Sequence, residues 1–142
     1  MDESRLAAIP LFASLTRRQR GVVARHADEI DVPDGTVLVV EGRFSYEFFV
    51  IEEGTADVVH GDRRIAELGP GDFLGEMGVL GDARRSASVV ATSPITAIVM
   101  TAAALRYVAR ELPVVGERLR AAIEERTEKL MAPPGTLGRA QP

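Results

Sequence analysis

The sequence predicts a mainly β domain with helices at both ends. Three observations carry that expectation. Residues 30–101 break into short β-branched segments at regular spacing, separated by glycine-bearing turns. Helical periodicity appears only before and after this region. The chain is 142 residues long and 46% hydrophobic, enough for one domain with a real core. Regularly spaced short strands of this kind build a sandwich, a jelly roll or a barrel.

The elements follow in order. A short helix is expected over residues 3–8. A second begins at Thr16, which stands three residues before Gln19, the spacing of a capping box. Leu15, Val22, Val23 and Ala27 form its apolar side, and Arg17, Arg18 and Arg20 read as a solvated face. Pro33-Asp34-Gly35 is a turn into a strand over residues 36–40. Glu41-Gly42 opens a longer loop, and a strand resumes over 47–51. Glu53-Gly54 and Gly61-Asp62 read as two-residue hairpin turns leading into strands over 55–59 and 63–68. Residues 88–91 and 95–100 read as a further strand pair interrupted by Ser93-Pro94. Thr101 is placed to cap a helix over 102–110, Pro113 interrupts it, and a last helix covers 114–131. Val115, Leu119, Ala122, Ile123 and Leu130 make an apolar stripe there, fit either for a homodimer or for the domain's own core. Glu125 and Lys129 stand at i,i+4 spacing on its polar side. Residues 132–142 are rich in Pro and Gly without periodicity and are expected to be a disordered tail, leaving 1–131 as the folded domain.

Composition removes whole classes of function. With no cysteine there are no disulfides, thiolate zinc sites or cysteine nucleophiles. A net charge of −4 argues against a general nucleic-acid surface. The acidic N-terminus lacks the apolar core of a signal peptide, and no apolar run approaches the ~20 residues of a membrane helix. A cytoplasmic address without membrane contact is therefore expected. His26 and His60 lack metal-ligand spacing, so no metal is expected and the histidine cluster of a cupin-like metalloenzyme is missing. The spacing of residues 69–75 fails the dinucleotide and Walker patterns, and no nucleophile elbow occurs. The acidic clusters Asp28/Glu29/Asp31 and Glu52/Glu53 read as solvated edges.

The informative stretch is residues 69–91, Gly-Pro-Gly-Asp-Phe-Leu-Gly-Glu-Met-Gly-Val-Leu-Gly-Asp-Ala-Arg-Arg-Ser-Ala-Ser-Val-Val-Ala. Gly75 lets backbone approach a ligand, and the N–H groups of a turn after it suit an anion. Arg85, at the start of a strand, offers two parallel charge-assisted hydrogen bonds to phosphate oxygens, with Arg84 as its competitor. Ionised Glu76 is a pure acceptor and suits a ligand hydroxyl. Together these describe a pocket for a small sugar-phosphate ligand.

This pattern resembles the phosphate-binding cassette of the cyclic-nucleotide-binding domain family. Gly75-Glu76 matches its first half and Arg85-Ser86-Ala87-Ser88-Val89-Val90-Ala91 its second, at the family's usual separation. Ile9-Pro10-Leu11-Phe12, Gly35, Gly42, Gly54 and Gly71 fall where the family has landmarks, so the resemblance spans about residues 6–131. It implies a β-roll (a double-stranded β-helix, jelly-roll-like) with N-terminal helices and a C-terminal lid helix. It further implies a non-enzymatic sensor for cAMP or cGMP, with no other cofactor. By position, Glu76 would accept the ribose 2′-hydroxyl and Arg85 would pair with the cyclic phosphate. Backbone around Gly75, Met77, Ser86 and Ala87 would complete the cradle. Ser86 is compatible with both nucleotides. Ile123, Arg126 and Leu130 are the candidates to cover the base.

The resemblance implies an effector protein or domain that receives the signal through lid movement. Family transcription regulators carry a DNA-reading domain after the long helix. About eleven residues follow Met131, too few for one, so no direct DNA binding is expected. The rival readings are a ligand-free scaffold of the same fold and, more distantly, a cupin-like metalloenzyme.

Overall fold

The computed structural model describes residues 1–40, 47–75 and 87–131, without the side chains of residues 123 and 126–131. The chain enters through a 3-10 helix, Glu3–Ala8, whose N-cap Asp2 accepts the Ser4 amide at 3.0 Å. The hydrogen bonds from Ser4 hold the Asp2 carboxyl below the usual carboxylate range. Pro10 opens a four-residue helix, α1 (Pro10–Ala13), where its fixed φ and missing N–H cost nothing. The expected capping box is present at the start of α2 (Arg17–Arg25). Gln19 N–H donates to Thr16 Oγ1 at 3.1 Å, and Thr16 N–H donates to Gln19 Oε1 at 2.9 Å.

The arginines of α2 differ from a purely solvated face. Arg17 and Arg20 reach back to Glu3 at 3.2 and 3.1 Å, and Arg20 also donates to the Leu15 carbonyl at 2.7 Å. They tie the 3-10 helix to α2 while Leu6, Leu11, Phe12 and Val23 are buried beneath.

Eight strands follow among the described residues: β1 (Asp28–Val32), β2 (Val37–Val39), β3 (Glu47–Glu53), β4 (Ala56–His60), β5 (Arg63–Leu68), β6 (Phe73–Leu74), β7 (Ser88–Ala91) and β8 (Ile95–Thr101). They form two four-stranded antiparallel sheets, ordered β1-β8-β3-β6 and β2-β7-β4-β5. The mainly antiparallel β architecture with flanking helices is the one expected, but two strand pairings are not.

Only β4–β5, across Gly61-Asp62, is the hairpin that the sequence predicts. Glu53-Gly54 is a corner at which the chain leaves one sheet for the other, and Thr92 to Pro94 is its counterpart between β7 and β8. The two corners are laced together. Thr92 N–H donates to the Thr55 carbonyl at 2.9 Å, Thr55 N–H donates to Ser93 Oγ at 2.9 Å, and the Thr55 and Thr92 hydroxyls meet at 2.8 Å. Gly54 has φ 99°, and a Cβ there would collide with the Pro94 carbonyl oxygen and the Ile95 side chain.

Two cores result. One lies between the sheets and holds Phe49, Ile51, Val58, Leu68, Leu74, Val89 and Ala97, among others. The other lies between the outer face of the first sheet and the helices, with Phe48, Val50, Ile98 and Met100 below Phe12, Leu105 and Leu119. Strand β3 serves both, which explains its unbroken apolar run Phe48-Phe49-Val50-Ile51. Thr101 caps α3 (Ala102–Glu111) by accepting the Ala104 amide at 3.1 Å. After Leu112 the chain turns into α4 (Pro113–Met131).

Val115 and Leu119, the first members of the predicted α4 stripe, are 0% exposed in the helix-side core. They serve the domain's own packing. Arg118 fastens α4 to α1 by donating to the carbonyls of Pro10 and Leu11 at 2.7 and 3.1 Å.

The acids Glu29 and Glu52 depart from the expected solvated edges. Both are engaged by Arg5, and the Glu52 side chain is only 10% exposed. Glu52 continues the helix-facing set Phe48 and Val50, toward the 3-10 helix that carries Arg5, and the bulge between Ile51 and Glu53 follows it. The expected tail, 132–142, and the Lys129 side chain lie outside the described residues.

Candidate functional site

The approach to the candidate site is built by the turn Gly69-Pro70-Gly71-Asp72. The Asp72 carboxylate accepts the Gly69 amide at 2.8 Å, and the Asp72 amide donates to the Gly69 carbonyl at 3.0 Å. The turn is fixed to β3, with Gly71 N–H on the Ile51 carbonyl at 2.8 Å and Ile51 N–H on the Asp72 carbonyl at 2.9 Å. Pro10 of α1 lies against it: a Cβ on Gly71 would stand 3.2 Å from Pro10 Cδ. Gly69 and Gly71, part of the informative stretch, therefore do structural work.

From this turn β6 runs along the edge of the first sheet, pairing Phe73 with Val50 and Leu74 with Phe49. Leu74 is buried in the inter-sheet core, and Phe73 tilts against Phe48 at a ring distance of 5.8 Å. Gly75 ends the strand buried, at φ 98°. On the far side, Ala87 is half-buried and packs against the inter-sheet core, and Ser88 opens β7 in the second sheet. β7 lies between β2 and β4, so it is paired on both edges. The two ends of segment 76–86 are thus held by different sheets.

Of the predicted ligand contacts, Gly75 and Ala87 are placed in this way, one at each flank. Glu76, Met77, Arg85 and Ser86, with the competitor Arg84, lie outside the described residues. The predicted lid residues Ile123, Arg126 and Leu130 fall within α4, and their side chains lie outside the described set. The structure adds Arg118, which with the landmarks Pro10 and Gly71 holds the approach turn, α1 and α4 in one connected arrangement. No short motif marks that connection, because Arg118 and Pro10 are far apart in sequence and the acceptors are backbone carbonyls.

Both histidines have ordinary structural places. His26 caps α2, its Nδ1 lies 2.9 Å from the Val22 carbonyl, and its ring stacks on Tyr107 at 4.6 Å. His60 ends β4 at the hairpin. Among the described residues no group of three or more His, Cys, Asp or Glu is placed to hold a metal ion. Among them, too, no helix is long and apolar enough to cross a membrane.

Comparison with known proteins agrees with this fold. Residues 29–111 match the family model described as the cyclic nucleotide-binding domain. A cAMP-dependent protein kinase regulatory subunit of Hypocrea atroviridis is 34% identical over 95 residues, covering 67% of this chain and 21% of that protein. This chain thus aligns with about a fifth of the length of that relative. The regulatory domain of Toxoplasma gondii PKA, solved with cAMP, superposes with a TM-score of 0.75 at 21% identity, covering 86% of this chain and 48% of the other. The catabolite activator protein of Thermus thermophilus gives a TM-score of 0.75 at 25% identity, covering 85% and 59%.

Proposed function

We propose that this chain, which belongs to the cyclic nucleotide-binding domain family, binds a cyclic purine nucleotide across segment 75–87 and reports its presence through α4. The family is regulatory and non-catalytic, and the β-roll is its fold. The observation that carries the reading is the family match over 29–111, which contains the whole stretch from Glu76 to Arg85. The firm seating of both flanks of that stretch in separate sheets supports it.

In this reading Arg85 pairs with the cyclic phosphate through parallel N–H···O bonds and Glu76 accepts the ribose 2′-hydroxyl. Backbone N–H groups from Gly75 to Met77 and at Ser86 and Ala87 complete the cradle. One residue among Ile123, Arg126 and Leu130 covers the base. cAMP is the first ligand to test, since two of the similar proteins carry that nucleotide in their names. Ser86 is compatible with cGMP as well. Ligand binding favours the conformer in which α4 is drawn over the base, a population shift toward the tighter-binding state. The receiving partner is a second protein or domain; the kinship with kinase regulatory subunits makes a protein-kinase catalytic subunit the first candidate.

Isothermal calorimetry on the wild type, Arg84→Ala and Arg85→Ala tests the reading with both nucleotides. Loss of the charge-assisted phosphate pair in Arg85→Ala is expected to cost about 2–4 kcal/mol of binding, with Arg84→Ala near wild type. Absence of heat with either nucleotide at high protein concentration refutes ligand binding and leaves a scaffold of the same fold. Equal losses from both arginines refute the register.

A further inference from the structure

Arg5, on the 3-10 helix, joins two carboxylates from different strands. Its Nε stands 2.9 Å from Glu29 Oε2 on β1, and a terminal guanidinium nitrogen stands 3.1 Å from Glu52 Oε2 on β3. The Glu52 side chain is 10% exposed, and among the described residues its Oε1 is buried with no hydrogen-bond partner. Two ionised carboxylates facing one guanidinium leave an excess negative charge, part of it on an oxygen that no donor among the described residues reaches. That is costly at a buried oxygen. One proton held between Glu29 and Glu52 removes both defects, because it cancels a charge and turns one carboxyl into a donor to the other.

The surrounding groups leave this pair to itself. Glu3, on the same 3-10 helix, is paired with Arg17 and Arg20 of α2. Asp31 of β1 accepts the Thr96 hydroxyl at 3.2 Å, and the Asp72 carboxylate is engaged by the Gly69 amide. Glu53 is exposed beyond the bulge. Strand β8, which runs between β1 and β3, pairs Ile98 with Glu29 and, across the bulge, Thr96 with Glu53; neither Ile98 nor Thr96 titrates.

We propose that Glu29 and Glu52 form a proton-binding pair, closed by Arg5, that fastens the N-terminal helical segment to the first sheet most firmly when a single proton is shared between them. Burial, and then the adjacent Glu29 carboxyl, push the Glu52 carboxyl above the ordinary carboxylate value, more than Arg5 pulls it down. A raised acid in the folded state holds its proton more tightly than the unfolded chain does. The associated stability is therefore fully present below the ordinary glutamate range and is lost as pH rises through the elevated folded value. What loosens is local: Leu6, next to Arg5, is fully buried, and Pro10 further along leans on Gly71.

The test is amide hydrogen exchange over residues 3–13, corrected for intrinsic rates, together with thermal melts from pH 5 to 8.5. Wild type, Glu52→Gln and Glu29→Gln are compared in the full chain. A glutamine at either position supplies a permanent donor and removes the excess charge. In the wild type, protection over 3–13 should fall by roughly fivefold or more with rising pH, relative to the β4–β5 hairpin. Glu52→Gln should hold that protection constant and melt about 3 °C above wild type at pH 8.5. Glu29→Gln should flatten the same pH dependence even if its packing lowers the melt overall. Retention of the wild-type pH slope by both variants would overturn the proposal. So would exchange over 3–13 that simply follows the hairpin at every pH.

Discussion

Replacing Gly54 by alanine tests how the two sheets are joined. The residue sits at φ 99°, where an L side chain costs about 1–2 kcal/mol. A Cβ there also runs into the Pro94 carbonyl oxygen and the Ile95 side chain, whose backbones belong to the opposing corner. Relieving such an overlap in a packed region costs about 1–3 kcal/mol more. The corner cannot shift without stretching the Thr55–Ser93 and Thr92–Thr55 bonds, both 2.9 Å. The expected destabilisation is therefore about 2–5 kcal/mol, a fall of roughly 6–15 °C in melting temperature for a domain of this size. Gly35→Ala is the matched control. Its φ is 85°, but among the described residues nothing lies within 4 Å of an added Cβ, so only the backbone cost applies, about 1–2 kcal/mol. Urea unfolding of both variants, alongside the melts, measures the difference. Equal losses would mean that the corners do not press on each other and that the lacing around Thr55 is incidental.

Other perturbations have equally definite outcomes. Arg118→Ala removes the bonds to the Pro10 and Leu11 carbonyls and should raise amide exchange in α1, with a global loss of only about 1 kcal/mol; unchanged exchange there would show that α4 does not hold α1. Thr16→Ala should cost about 1 kcal/mol in urea unfolding through loss of the capping box, and a neutral result would deny that cap a role. Leu119→Ala should cost about 2–5 kcal/mol while leaving the mass in solution unchanged, because the side chain is buried in its own domain. A change in mass on that substitution would instead assign the stripe to a subunit interface.

Features set by near neighbours in sequence were legible in advance. Thr16 with Gln19, Thr101 with Ala104 and the Gly61-Asp62 hairpin all rest on groups a few residues apart, so spacing alone declares them. The corners at Gly54 and Pro94 were not legible, because a two-residue turn after a strand looks the same whether the next strand folds back or crosses to another sheet. Only the distant contact with Pro94 distinguishes them. Strand β6 is not legible in the sequence because two residues carry no alternation, and its pairing with β3 is what makes it a strand. Glu52 is not legible because its partner Arg5 is 47 residues away. For the candidate site, the Gly-Glu and Arg-Ser-Ala elements were readable because phosphate recognition needs particular residue types at particular spacing. The covering residue on α4 was not, since any bulky side chain can stack on a base.

The pairing of β1 with β8 has a consequence for the order in which the fold is made. Asp28 pairs with Val99 and Val37 with Val90, so the first strands of this domain find their partners only after most of it has been synthesised. Among the described strands, the β4–β5 hairpin alone closes locally. Refolding dominated by such distant pairings is expected on the millisecond-to-second scale, and sub-millisecond recovery in stopped-flow would contradict it. Meanwhile β1 is an edge strand that waits with its hydrogen-bonding groups open. Asp28, Glu29 and Asp31 give that waiting strand a charge that repels its own copies on neighbouring nascent chains.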